Sequence, residues 1–189
     1  MKHILFLAAL VASLSCYSQT RTGLKGGVNI ANLNYSDGNE SVKGDPLTSF
    51  HVGFVFFPEG SSSVAVQPEI LFSMQGNKIP SPIGNVEEKL GYVNVPILIK
   101  YIPDPAFSIY AGPQLGLLVS SNKISGTRVK DYYKEVDISL SFGGEFKAGE
   151  NLLFGARYNL GMLNIDDFDD SGDIKVTNRV TQIYLGILF

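Results

Sequence analysis

Cysteine and histidine are almost absent from this chain of 189 residues. It has one cysteine, Cys16, and two histidines, of which His51 is the only one beyond the first few residues. With so few of these residue types there is no Cys/His pattern for a metal and no pair of thiols for a disulfide. No glycine-rich phosphate-binding loop is present either. We therefore predict no metal and no cofactor.

Long apolar runs are also missing beyond the first fifteen residues. The hydrophobic content is 44% and the mean hydropathy is +0.12. A membrane-spanning helix nevertheless needs about 20 consecutive apolar residues, and no such stretch occurs. If the chain lies in a membrane, it crosses as strands. The formal net charge of −3 gives no basic surface for nucleic acid, so we predict no nucleic-acid partner.

The first 18 residues have the features of a secretory signal peptide. Lys2 and His3 supply the charged end, residues 4–14 the apolar segment, and residues 16–18 a cleavage site. The apolar run is too short for a transmembrane helix. A lipoprotein signal ending at Cys16 is the alternative, although Ser13 stands where a large aliphatic residue is expected. We predict a signal peptide at 1–18 and one domain at 19–189, from which Cys16 would be absent.

Residues 136–189 alternate between apolar and polar or small side chains with a period of two. Such alternation over ten or more residues predicts strands with two different faces. The second row mixes glycines with single charges, which is unusual for a face in water. An apolar exterior with a polar, small-residue interior is typical of a membrane β-barrel. One apolar row illustrates the pattern: Val136, Ile138, Leu140, Phe142 and Phe146.

Eight runs of this kind are present along the chain. They cover about 22–33, 48–57, 64–75, 89–101, 107–119, 136–147, 152–163 and a last run that ends at Phe189. Short breaks at 58–62, 103–105 and 148–151 alternate with longer polar breaks at 34–47, 76–88, 120–133 and 166–175. This alternation predicts a barrel with turns at one end and loops at the other.

The predicted fold is therefore all-β, an eight-stranded antiparallel up-and-down transmembrane β-barrel. Eight strands enclose a lumen just wide enough for side chains to fill it. Inward glycines would make room for large inward residues such as Tyr92, Tyr110 and Tyr184. Aromatic residues near strand ends, among them Tyr92, Tyr110 and Phe189, are candidates for the interfacial girdles. A soluble lipocalin-like barrel is the alternative and would have its faces reversed.

Inward charges are the candidate site. They are Lys25, Glu69, Lys100, Glu145, Lys147 and Arg157. A buried charge without a partner is costly, so we predict that Glu69, Lys100, Glu145 and Arg157 form a polar, ion-paired network across the lumen. A polar relay or ion path is the alternative. Counting outward from the turn at 148–151 places Lys147 beside Leu152 and Glu145 beside Phe154.

No catalytic residue is predicted. His51 lies two residues from Ser49 on the same strand face, but no acid completes a triad with them in sequence. An acidic run at 166–170, followed by Asp173, does not have the spacing of a calcium loop and is interpreted as a solvated loop.

Four segments carry a resemblance to a known family. They are QPEILFS at 67–73, YVNVPILIKY at 92–101, YAGPQLG at 110–116 and ARYNLG at 156–161. Together they resemble the PorT-like outer-membrane β-barrel family of Bacteroidetes. The resemblance covers nearly all of the chain after the signal peptide and implies the outer membrane of a Gram-negative, Bacteroidetes-like cell. The founding member of that family is implicated in protein secretion.

The sequence thus favours an outer-membrane barrel of structural or binding type that is not an enzyme. A small gated channel, a secretion-associated component and a lipid-modifying enzyme are the alternatives. The expected partners are outer-membrane lipid, the barrel-insertion machinery through Phe189, and an unknown partner bound by the surface loops.

Overall fold

A computed structural model describes residues 20–36, 40–60, 62–80, 84–124, 127–128, 132–167 and 175–189. The predicted signal peptide at 1–18, with Cys16, lies outside these residues. Within them, no helix has the length and apolar character needed to cross a membrane.

The described chain forms eleven strands. They are β1 (Thr20–Ser36), β2 (Ser41–Lys43), β3 (Asp45–Pro58), β4 (Val64–Ile79), β5 (Val86–Asp104), β6 (Phe107–Ser121), β7 (Lys123–Ile124), β8 (Thr127–Arg128), β9 (Val136–Ala148), β10 (Leu152–Gly161) and β11 (Lys175–Leu188). Eight of them, β1, β3, β4, β5, β6, β9, β10 and β11, are each antiparallel to the next, and β11 pairs with β1. The predicted eight-stranded up-and-down barrel is confirmed.

The closing seam between β1 and β11 runs from Gly23 opposite Leu188 to Ser36 opposite Lys175. Every ring strand therefore has a neighbour on both sides. This arrangement leaves no open sheet edge facing lipid, as a sheet in hydrocarbon requires. The three short strands lie at the loop end: β2 pairs with the end of β1, and β7 pairs with β8.

Two of the predicted long breaks are largely strand. The break at 34–47 contains the end of β1, all of β2 and the start of β3, with Asn34 opposite Lys43 and Ser36 opposite Ser41. Residues 76–88 were expected to form a loop, but β4 and β5 stay paired from Gly76 opposite Lys89 to Ile79 opposite Val86. This part of the hairpin lies at the loop end, where a strand needs no apolar row. Its polar composition therefore resembled a loop although its backbone forms a regular ladder.

The two faces of the barrel point as predicted. Outward side chains are apolar and exposed; Phe142 is 43% exposed and Leu185 is 69% exposed. Glu145 and Arg157 face inward and are each 2% exposed. The reversed faces of a soluble barrel are thus excluded, because an apolar exterior of this extent is stable in lipid and not in water.

Apolar clusters close both ends of the lumen. At the turn end Val55, Phe57, Leu153 and Leu188 pack together. At the loop end the cluster comprises Leu33, Leu90, Tyr92, Leu118, Tyr133, Ile165 and Val176. Tyr133 and Ile165 lie outside the ring strands, so the connections that carry them fold into the mouth of the barrel.

The expectation about girdle aromatics is partly wrong. Tyr92 and Tyr110 are 0% and 4% exposed and lie inside the lumen, whereas Phe189 is 70% exposed. Strand-end position alone does not assign an aromatic ring to a girdle, because the parity of the strand decides which face carries it.

We expect the cost of a charge on the outer face to depend on depth. Phe142→Arg, near the middle of β9, should lower the free energy of unfolding in lipid by about 2–4 kcal/mol, and Val136→Arg, on the same face at the end of β9, by about 0–1 kcal/mol. The chain has no tryptophan. Unfolding in urea is therefore followed by gel mobility without boiling and by circular dichroism. Equal costs at the two positions would show that this face does not contact hydrocarbon.

Candidate functional site

The candidate site is a layer of five charged side chains that crosses the lumen. Lys25, Glu69, Lys100, Glu145 and Arg157 come from β1, β4, β5, β9 and β10, and none is more than 2% exposed. The four residues of the predicted network all lie in this layer. The structure adds Lys25, which the alternation had placed in the inward row but outside that network.

Glu69 is the centre of one half of the layer. Its Oε1 atom accepts hydrogen bonds from Lys25 Nζ at 2.9 Å and Arg157 Nη2 at 2.8 Å. Gln67 Nε2 donates to the same oxygen at 2.8 Å. Three strands on different sides of the barrel thus converge on one carboxylate. Charge-assisted bonds of this kind are among the strongest in proteins when all partners are in place.

Glu145 organises the other half. Lys100 Nζ forms an ion pair with Glu145 Oε1 at 2.5 Å. Lys100 also donates to Gln67 Oε1 at 2.9 Å, so the Gln67 amide connects the two carboxylates through its two ends. Lys25 lies 4.0 Å from the second oxygen of Glu145 and is shared between the halves.

Two tyrosines complete the layer. The hydroxyls of Tyr110 and Tyr184 are 2.8 Å apart, and Tyr184 donates to Glu145 Oε2 at 3.1 Å. Lys25 Nζ lies 3.5 Å from the centre of the Tyr184 ring, a cation–π contact. A β-carbon at Gly155 would lie 2.5 Å from the Tyr184 hydroxyl, so glycine makes room for this ring.

The predicted pairing across the β9–β10 turn is off by one residue. Lys147 lies opposite Leu153 rather than Leu152, and Glu145 opposite Gly155 rather than Phe154. The predicted register would have set an inward residue against an outward one, which the common pleat of paired strands forbids. Gly149, with φ of 63°, takes the left-handed conformation in the three-residue turn.

Lys147 is not part of the layer. It lies at the turn end, its side chain is 24% exposed, and it is 4.0 Å from Glu59. A cavity of about 10 Å³ between this rim and the Lys100–Glu145 pair has room for about one water molecule.

A layer of amides and hydroxyls lies next to the charges. The ladder between β3 and β4 is interrupted between Pro46 and His51. Asn29 Nδ2 donates to the backbone oxygens of Phe50 at 2.9 Å and Met74 at 2.7 Å. A lumen side chain thus satisfies backbone acceptors that the sheet leaves free.

The contacts of His51 and Ser49 do not form a catalytic set. His51 Nδ1 is 2.7 Å from Asn29 Oδ1, and Ser49 Oγ donates to the Met74 backbone oxygen at 2.6 Å. The serine hydroxyl is therefore bonded to backbone and not to the imidazole. In the described part of the chain no group of three or more His, Cys, Asp or Glu side chains could hold a metal ion. Of the acidic run, 168–170 and Asp173 lie outside that part.

The mouth of the barrel carries a second polar group, above the membrane-spanning part. Tyr133, Glu88 and Tyr35 lie next to one another there. Burial raises the pKa of the Glu88 carboxyl above its usual value and also raises the pKa of both tyrosines. The connections are tied together there by Lys134 N donating to Ile165 O at 2.8 Å and by Ile165 N donating to Val176 O at 2.9 Å.

Comparisons with known proteins agree with this architecture. The family described as outer membrane protein beta-barrel domain matches residues 17–167. The crystal structure of Neisserial surface protein A is similar at a TM-score of 0.58 and 16% identity, covering 89% of this chain and 97% of that one. Ail, the attachment invasion locus protein of Yersinia pestis, in complex with the heparin analogue sucrose octasulfate, gives 0.52 and 14%, covering 90% and 99%. No curated protein matches the chain. At these low identities the structural similarity shows a shared fold alone.

Removing the carboxylate at the centre of the layer should be strongly destabilising. Glu69→Gln leaves Lys25 and Arg157 buried without their main counter-charge, and we expect a loss of about 3–5 kcal/mol in the free energy of unfolding. Glu87→Gln breaks an exposed pair with Lys89 and should cost less than about 1 kcal/mol. Urea titration monitored by gel mobility measures both.

A double variant separates lost charge from lost packing. Glu69→Gln combined with Arg157→Met removes both signs, so its cost should be smaller than the sum of the single variants. Additive costs would mean that the ion pair does not couple these residues.

The mouth should be better closed at acidic pH. Because burial raises the pKa of Glu88 in the folded state, the folded mouth is more stable when this carboxyl is protonated. This contribution to stability is fully present below the ordinary pKa of 4.5 and is lost as pH rises through the raised pKa of the folded state. The amides of Lys134 and Ile165 should therefore be better protected from hydrogen exchange at pH 4 than at pH 7, after correction for intrinsic rates. In Glu88→Gln this difference should largely disappear. If the variant keeps the full pH dependence, another group is responsible.

Proposed function

Because the chain belongs to the outer membrane protein beta-barrel domain family, we propose that it serves the outer membrane as a closed barrel of structural or binding type. Its lumen is packed with side chains, which stabilise the barrel wall and hold the surface connections in position. It is neither an enzyme nor a general pore in this proposal. The observation that supports it most directly is the filling of the lumen at three successive levels.

The three levels differ in chemistry. The cluster containing Phe57 and Leu188 closes the turn end, and the cluster containing Tyr92 and Tyr133 closes the loop end. Between them the five charged residues are bonded to one another, and Arg157 and Lys100 are among the most completely buried large side chains. A hydrated ion would have to displace both apolar clusters and break at least one buried ion pair, which is costly in a water-poor interior.

The contacts in the charged layer favour a structural role over an ion path. Both carboxylates are bonded to cations on other strands, so the layer ties β4 to β1 and β10, and β5 to β9. A relay would need groups that change partners along the barrel axis. Here Gln67 joins the two halves at one level instead.

Three finer assignments belong to the proposal. The four sequence segments support a place in the PorT-like branch found in Bacteroidetes, with a secretion-associated role as an alternative. The exposed ring of Phe189, in line with outward Leu185 and Ile187, supports recognition by the barrel-insertion machinery. The connections at the loop end are the surface offered to an unknown binding partner.

The enzyme alternative has little support from the contacts. A lipid-modifying activity through His51 would need a nucleophile within reach of the imidazole, and Ser49 is bonded to Met74 instead. The gated-channel alternative remains testable by conductance.

Purified protein, refolded in detergent and placed in a planar bilayer, should show no steady single-channel conductance. Tyr133→Ala removes one aromatic side chain of the mouth cluster and should be equally silent, because the charged layer and the turn-end cluster still fill the lumen. Gel mobility before and after boiling confirms that each sample is folded. A general porin in the same bilayer shows that incorporation is detected.

Regular opening steps from the folded wild-type protein would contradict the closed-lumen proposal. Conductance that arises only in Tyr133→Ala would mean that the mouth alone closes the barrel, which also contradicts the three-level account.

A further inference from the structure

The outer face of the barrel carries a group of cations at the loop end of β11, β1 and β2. Arg179 and Lys175 belong to the outward row of β11 that also contains Leu185 and Ile183. Lys43 on β2 lies opposite Asn34, which in turn lies opposite Thr177 of β11. Among the described residues of this outward face on the three strands none is acidic: Lys175, Thr177, Arg179, Thr181, Asn32, Asn34, Ser36, Ser41 and Lys43.

The depth of Arg179 matches the boundary of the membrane. It lies ten residues before Phe189, which is at the turn end (189 − 179). At a rise of about 3.3 Å per residue and a tilt of about 40°, ten residues cover about 25 Å, which is the height of the apolar band of such barrels. If Phe189 lies at the inner boundary, Arg179 lies at the outer one, where lipid headgroups begin. Lys43 and Lys175 lie farther out.

Arg179 also has unused hydrogen-bonding capacity. It lies between Leu160 of β10 and Asn32 of β1, and its Nε atom is buried without a hydrogen-bond partner in the structure. A desolvated guanidinium N–H without an acceptor is unfavourable. Its flat, forked shape suits a phosphate group, which can accept two of its N–H bonds.

A second set of outward lysines at the loop end serves as a contrast. Lys78 and Lys89 lie on the β4–β5 hairpin, where Lys89 pairs with Glu87 at 2.7 Å. Lys78 lies opposite both Glu87 and Asp45. Lys78 therefore lies opposite acids in the sheet, whereas the residues opposite Arg179, Lys43 and Lys175 are uncharged: Leu160, Asn32, Asn34 and Ser36.

We propose that Arg179, with Lys43 and Lys175, binds the phosphate-bearing headgroup of a lipid in the outer leaflet. The lipid's acyl chains would lie along Leu160, which is opposite Arg179, and along exposed Ile183, which is below Arg179 on the outward face of β11. Its phosphate would contact the guanidinium of partly buried Arg179 and the exposed Lys43 and Lys175. A membrane lipid is favoured over a protein because the site begins at the edge of the lipid-facing band. The inference rests on the outer-membrane location and not on the closed lumen, so a conducting wild-type barrel would leave it intact.

Native mass spectrometry of the full, folded barrel tests the site, with diphosphoryl lipid A as the probe. The double variant Arg179→Gln/Lys43→Gln should bind the probe about 30-fold more weakly, since each cation near the membrane surface contributes roughly fivefold. Lys78→Gln/Lys89→Gln removes the same charge from the loop end and should bind like the wild-type protein. Lys43→Gln alone, at an exposed position, should bind about fivefold more weakly. It keeps the test valid if the double variant does not fold.

The chemistry of the ligand is tested in the same measurement. Dephosphorylated lipid A should bind the wild-type protein as weakly as lipid A binds the double variant, and millimolar inorganic phosphate should not displace lipid A. The proposal is overturned if the two double variants bind equally well, if the dephosphorylated lipid binds as tightly, or if free phosphate competes. The last result would point to a phosphate site that does not require a lipid.

Discussion

Hydrogen bonding of the backbone in the absence of water is the constraint on which this structure depends. In hydrocarbon each N–H and C=O must find a partner within the protein, so a sheet there has to close. The β1–β11 seam provides that closure over a continuous register. Where the β3–β4 ladder is interrupted, Asn29 reaches from the lumen to two backbone oxygens. The same requirement therefore sets both the topology and the placement of single side chains.

Closure of eight strands creates the second problem, which is how to fill a narrow interior. The chain places the bulk of Tyr110 and Tyr184 opposite glycines and concentrates the charges in one layer. Glu69 is bonded to residues of β1 and β10, and Glu145 to a residue of β5. Apolar clusters on both sides separate this layer from bulk water, which strengthens the ion pairs and makes the loss of any partner expensive.

The residue composition of the outer face changes along the barrel axis. In the middle of the barrel outward residues such as Phe142 and Leu185 are apolar and exposed, as contact with acyl chains requires. At the loop end polar residues continue the strands, so the β4–β5 hairpin extends through Asn77 and Lys78 without an apolar row. On β11 the outward row changes from apolar Leu185 and Ile183 to charged Arg179 within a few residues.

The sequence by itself determined the number of strands, their order and the assignment of faces, because a period of two is a local property that each strand carries in its own residues. It also placed Glu69, Lys100, Glu145 and Arg157 on the inward side. Only the tertiary structure decided that Glu69 meets Arg157 and Lys25 while Glu145 meets Lys100, since these partners lie on strands whose relative shift is set by the closed ring. The extent of the β4–β5 hairpin and the inward fold of Tyr133 and Ile165 were likewise tertiary outcomes, because polar strands and polar loops have the same composition and differ only in their pairing.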